Sequence, residues 1–198
     1  MAAIDTAAVL LAPGASASRD QSALVAIEAA LVPAGVPVER MDFPYRKAGR
    51  KAPDKEPALV EAVRSEAAAL SGRTGLAPDR LVLGGRSMGG RMCSIAVAQG
   101  LPALALVLVS YPLHPPGRPD RLRTDHFPRL ALPCLFVSGT RDTFGTVQEL
   151  EAATGAILGA VTHVWIDGGD HGLRRHDGVV AAAVREFVEG VAEGSPRG

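Results

Sequence analysis

Residues 81–90 read LVLGGRSMGG and set one serine among four glycines at the end of an apolar run. Gly85, Ser87 and Gly89 make the pattern G-x-S-x-G, and the GRMCSIAVAQG that follows has helical spacing. Between a strand and a helix, this pattern holds a serine hydroxyl clear of the backbone, ready to attack an electrophilic carbon. The glycines suit so sharp a turn because residues without a side chain let the helix pack against the strand. At the helix start, the N–H of Met88 would face the attacked atom and donate to a developing oxyanion. The pattern alone also fits a glycine-rich turn that merely contains a serine. A phosphate-binding loop fits poorly, since no Lys follows the glycines and no acidic residue stands where a ribose needs one.

A serine needs a base to take its proton, and the base needs a third group to orient it. Two later apolar runs end in suitable residues. Asp142 follows CLFVSG in TRDTFG, and His171 follows THVWID in GDHGLRR, giving the chain order Ser87, Asp142, His171. Asp142 also has a bland reading as a turn or helix-cap residue. Asp167 and Asp170 compete for the acid role, but they share a loop with His171, whereas the orienting acid is expected from the preceding strand. Among the other histidines, His163 falls inside a strand pattern and His176 inside the last helical pattern. His114 and His126 lie in a long loop and are candidates for binding substrate. A second oxyanion donor is expected in LLAPGASAS, where the N–H of Ala15 would face the pocket with Ser16 as an accessory. The competing reading there is a plain strand-to-helix connection capped by a serine. Arg86 and Arg91 flank the serine turn, and Arg118, Arg121, Arg123 and Arg129 stand in the long loop. They fit either contacts to a polar or acidic acyl group or a solvated surface.

These residues must be carried by elements that bring strand ends together. Runs rich in Val, Leu and Ile occur at 7–12, 36–43, 80–85, 104–110, 134–139 and 162–167. Most are near-continuously apolar, as strands covered on both faces should be. Helical spacing occupies 19–34, 55–72, 88–100, 146–159 and 176–193. Alternating strands and helices predict a three-layer α/β domain, with one mostly parallel six-stranded sheet and functional loops at the carboxyl ends of the strands. The proline-rich 111–133 is too long for an ordinary connection and predicts an ordered loop capping that edge. The final EGSPRG reads as a frayed tail.

The 198 residues fit a single domain spanning 1–198. Lys plus Arg number 21 and Asp plus Glu 21, so no global positive field favours nucleic acid or anionic lipid. No run reaches membrane-spanning length, and the N-terminus lacks the basic start of a signal peptide. Cys93 and Cys134, in a helix and a strand pattern, predict reduced core thiols and a cytoplasmic protein, with no metal cluster.

LLAPGAS, GGRSMGGRM, YPLHPPGRPDRLRTDHFPRLALPCLFVSGTRDTFG and GGDHGL together resemble the small α/β-hydrolases related to dienelactone hydrolase. Among them the motifs more closely resemble the group containing testis-expressed protein 30 and the hydrolase-like region of the third subunit of the NSL histone acetyltransferase complex. The resemblance runs from residue 7 to about 190. It implies Ser87 as nucleophile, Asp142 as acid, His171 as base, and no cofactor. Pro13 departs from the histidine that often precedes the glycine in similar sequences. The chain also departs from larger hydrolases in lacking an N-terminal hairpin and a lid domain, which implies a minimal fold with an open, shallow pocket. The expected activity is a serine hydrolase acting on a small or accessible ester or thioester. A scaffold or interaction module that keeps the fold without useful turnover is the alternative, and acyl transfer would use the same site. Oligomeric state is not legible in the sequence.

Overall fold

The computed structural model describes residues 7–194. Residues 195–198 of the expected tail, and the first six residues weighed against a signal peptide, lie outside the described residues. Six strands, β1 (Ala8–Ala12), β2 (Val38–Arg40), β3 (Leu81–Arg86), β4 (Ala105–Val109), β5 (Cys134–Gly139) and β6 (Val161–Ile166), form one sheet in the order β2-β1-β3-β4-β5-β6. Every pairing is parallel. Six helices join them: α1 (Ser22–Leu31), α2 (Pro44–Lys47), α3 (Glu56–Thr74), α4 (Met88–Ala98), α5 (Val147–Thr154) and α6 (Asp177–Gly194).

The period-2 alternation of the strands divides the core into two layers. Val9, Leu11, Val82, Val107, Val109, Leu135 and Val137 face α1 and α6, where they meet Leu24, Ile27, Val180, Val184 and Val188. Leu10, Leu83, Leu106, Leu108 and Phe136 face α3 and α4 and pack with Val63, Met92 and Ile95. Each fully buried Leu, Val or Phe contributes about 1.5–3 kcal/mol, so the central strands are held from both sides.

Several elements are shorter than their sequence patterns. The first helix ends at Leu31, and Val32–Ala34 tighten into a 3₁₀ turn closed by Gly35 in the left-handed region at φ 83°. β2 spans only Val38–Arg40, because an edge strand before Phe43-Pro44 must turn away into α2. The α5 pattern stops at Thr154, after which the N–H groups of Leu158 and Gly159 donate to the carbonyl of Leu130. The loop 111–133 contains a single 3₁₀ turn, Phe127–Arg129, and is anchored inward by buried Tyr111, Leu113, Phe127 and Leu130.

Candidate active site

Ser87 stands at the junction of β3 and α4 with φ 51° and ψ −116°. A non-glycine residue holds that conformation only at a cost of about 1–3 kcal/mol, repaid by its surroundings. Its N–H donates to the carbonyl of Val109 on β4 at 2.8 Å. Gly89 allows the turn because α4 presses on β1 there: a Cβ would overlap the carbonyl oxygen of Ala12.

From this turn the Ser87 hydroxyl lies 2.9 Å from Nε2 of His171. His171 Nδ1 in turn lies 2.8 Å from Oδ2 and 3.0 Å from Oδ1 of Asp142. The Asp142 side chain is 2% exposed and that of His171 19%, so the acid is dry while the imidazole reaches the open cavity. The loops after β5 and β6 are laced together. The N–H of Thr140 donates to Ile166 and that of Arg141 to Gly169, while a Cβ on Gly139 would collide with the Gly169 carbonyl. Asp142 Oδ1 also accepts from the N–H of Phe144 at 2.8 Å, which fixes the carboxylate.

The turn after β1 has spent nearly all of its donors. Gly14 N–H donates to Oε1 of Gln21, Ser16 N–H to the Tyr45 hydroxyl, and Ala17 N–H to the Gly14 carbonyl. Among the described residues no acceptor takes the N–H of Ala15 or of Met88, and both residues line the cavity beside Ser87. Two free N–H groups flanking a serine hydroxyl are what a tetrahedral oxyanion needs.

The cavity, of about 420 Å³, is lined by Ala15, Arg86, Ser87, Met88, Arg91, Pro112, Arg123, Phe144 and His171. Arg86 lines it and also donates from Nη2 to the carbonyl oxygen of His171. Burial lowers its pKa, against the opposing pull of Asp142, Asp170 and Asp177. Phe144 stacks on the His171 ring with centroids 3.9 Å apart. Phe144 escaped the sequence reading, although it stands two residues after Asp142; an aromatic in a turn carries no spacing rule that would single it out.

Three expected substrate contacts do not line this cavity. Ser16 has its N–H on Tyr45 and its hydroxyl on the carbonyl of Lys51, which ties the β1 turn to the segment after α2. His114 is buried: its N–H donates to Phe144, Nδ1 lies 2.8 Å from the Pro115 carbonyl, and Nε2 lies 3.4 Å from Glu149. His126 is buried against α4 with Nε2 2.8 Å from the Ser94 hydroxyl. Burial, helped by Arg91 and Arg129, pushes its pKa down to about 4. The inward anchors of the long loop turn both histidines toward the protein.

Cys93 and Cys134 are buried and unbridged, and burial pushes both thiols up to about 12. Among the described residues no group of three His, Cys, Asp or Glu is placed to hold a metal ion, and no helix is long and apolar enough to cross a membrane.

A parallel sheet with a serine on a strained strand-to-helix turn, and a His-Asp pair from later strand ends, defines a class of protein by its architecture. The chain belongs to the alpha/beta hydrolase domain family, which it matches over residues 5–188. Its fold is similar to that of Est1E from Butyrivibrio proteoclasticus, with a TM-score of 0.77 at 15% identity, covering 96% of this chain and 90% of that one. It is also similar to dienelactone hydrolase from Anabaena variabilis, with a TM-score of 0.75 at 20% identity over 97% and 88% of the two chains. A protein of the α/β hydrolase superfamily from Xanthomonas campestris pv. campestris matches with a TM-score of 0.69 at 21% identity, over 93% and 99%.

Proposed function

We propose that this protein is a serine hydrolase that cleaves small or accessible esters or thioesters through an acyl-enzyme. The observation that carries the reading is the continuous chain from Ser87 Oγ through His171 to the buried Asp142, at 2.9 Å and 2.8 Å. His171 Nε2 takes the hydroxyl proton as Ser87 Oγ bonds to the acyl carbon. The carbonyl oxygen becomes an oxyanion held by the N–H groups of Met88 and Ala15. Collapse breaks the bond to the alcohol or thiol, which leaves with the proton carried by His171. A water then gives its proton to His171 and attacks the acyl carbon, releasing the acid and restoring Ser87. Asp142 holds the imidazole in the tautomer that leaves Nε2 free to accept, and stabilises the cation formed in each half-reaction.

The chemistry asks for no cofactor or metal, because every proton and electron pair is accounted for by these side chains and water. We also propose that the chain falls near the testis-expressed protein 30 and NSL group, a reading supported by its GGRSMGGRM, YPLHPPG and GGDHGL motifs. We place the protein in the cytoplasm as one domain acting on a small molecule, a reading supported by its two buried, unbridged thiols.

Incubation with a fluorophosphonate followed by intact mass measurement tests the proposal. The expected result is one adduct on the native protein and none on Ser87→Ala, with His171→Ala slowed by about a thousandfold or more. A folded protein that gains no adduct would return the fold to the scaffold alternative.

A further inference from the structure

The cavity beside Ser87 is lined by three cations from three different segments: Arg86 at the end of β3, Arg91 on α4 and Arg123 in the 111–133 loop. No acidic residue shares that lining. Arg91 is paired with Glu56 through Nη2 at 2.6 Å, yet its Nε is buried without a partner. Among the described residues neither Arg86 nor Arg123 forms an ion pair with a carboxylate. Arg86 reaches only the His171 carbonyl, and Arg123 only the carbonyl of Pro112, at 3.4 Å.

Arg123 is also held in place. Its N–H donates to Leu113 at 2.9 Å, and its carbonyl accepts from the Tyr111 hydroxyl at 2.7 Å. Burial and the neighbouring Arg91 both lower the Arg123 pKa, so the two guanidinium groups stand close enough in the cavity lining to oppose one another. The same two arginines also line an adjoining furrow, where His126 and Arg129 stand with the carboxylates of Glu56 and Asp125. Crowded guanidinium groups with open donors are relieved by an oxyanion, to which they donate charge-assisted hydrogen bonds.

We infer that the substrate carries an anionic oxygen group, carboxylate or phosphate, which Arg123 and Arg91 receive while the scissile carbonyl lies at Ser87. The inference rests on the serine-hydrolase reading and adds the chemical class of the substrate. The charge has two possible sources, the acyl part or the leaving group. A dicarboxylate half-ester carries it on the first, and a phosphate-bearing thiol carries it on the second.

Two matched pairs separate these sources: p-nitrophenyl hemiglutarate against p-nitrophenyl valerate, and butyryl coenzyme A against the butyryl thioester of N-acetylcysteamine. The expected result is a kcat/KM about tenfold or more in favour of the charged member of one pair. Arg123→Met should erase most of that ratio, chiefly through KM, and 0.5 M salt should reduce it. Calorimetry of Ser87→Ala with monoethyl glutarate and with inorganic phosphate reads anion binding independently of turnover. Equal rates within both pairs, or an Arg123→Met ratio that matches the native one, overturn the inference while fluorophosphonate labelling of Ser87 keeps the serine chemistry intact. If labelling fails but either anion binds and Arg123→Met abolishes that binding, the anion site stands and the hydrolase reading falls. Absence of binding in that setting overturns both.

Discussion

Phe144 stacks on His171 with ring centroids 3.9 Å apart and planes inclined by 26°. The aromatic face therefore lies against the imidazole that becomes a cation in each half-reaction of the proposed cycle. Such a face attracts a cation by about 0.5–1 kcal/mol at partly open sites. Phe144→Ala keeps the backbone N–H that holds Asp142, so it isolates the ring's effect. We expect kcat on a neutral ester to fall about threefold, with Ser87 still labelled. Phe144→Leu, which refills the space without the π face, should not restore the rate.

Arg86 ties the strand that leads into Ser87 to the proposed base, because its guanidinium donates to the main-chain carbonyl of His171. It acts here as a positioning residue, whatever it contributes to anion binding. Misplacing a reacting group by about an ångström costs on the order of a hundredfold in rate. Arg86→Met should therefore slow fluorophosphonate labelling of Ser87 by about tenfold or more. A neutral ester should lose kcat more than KM, which a role confined to anion binding would not produce.

His126 links stability to pH. Its folded pKa, about 4, lies below the ordinary value of 6.5, so between these values the unfolded chain binds the extra proton. Stability contributed by the neutral, buried ring is therefore complete above about 6.5 and is lost as pH falls toward 4. The maximum loss is on the order of 3 kcal/mol. Denaturant midpoints measured from pH 7.5 to 4.5 should fall for the native protein and fall less for His126→Gln, which cannot take up the proton.

Both thiols should be silent in the folded protein. Burial holds Cys93 and Cys134 at a pKa of about 12, so almost no thiolate forms near neutrality. Ellman's reagent is expected to find none in the native state and two in denaturant, matching the two cysteines of the chain.

How far the sequence could be read depended on how tightly local rules constrain each segment. Strands such as Ala105–Val109, buried on both faces, wrote themselves as unbroken apolar runs. Ser87, Asp142 and His171 were legible because each follows such a run, and parallel topology brings strand ends to one edge. Loop 111–133 has no period to say which side chains turn inward. His114 and His126 were accordingly expected at the pocket, whereas Tyr111, Phe127 and Leu130 draw that segment into the core and carry the histidines with them. Arg123, from the same loop, faces the cavity instead. Only tertiary packing distinguishes it from the arginines beside it in the sequence.

The Tyr45 hydroxyl, 29 residues from Ser16 along the chain, accepts the N–H next to Ala15 and so sets the aim of the turn after β1. The two N–H groups proposed to hold the oxyanion therefore hang from different parts of the molecule, that of Met88 from the β3–α4 turn and that of Ala15 from a turn tied to α2. In the proposed cycle, a change confined to α2 would retune turnover while leaving Ser87, His171 and Asp142 untouched. A single phenol oxygen, outside the Ser87, Asp142 and His171 motifs, would thus adjust the rate of that cycle.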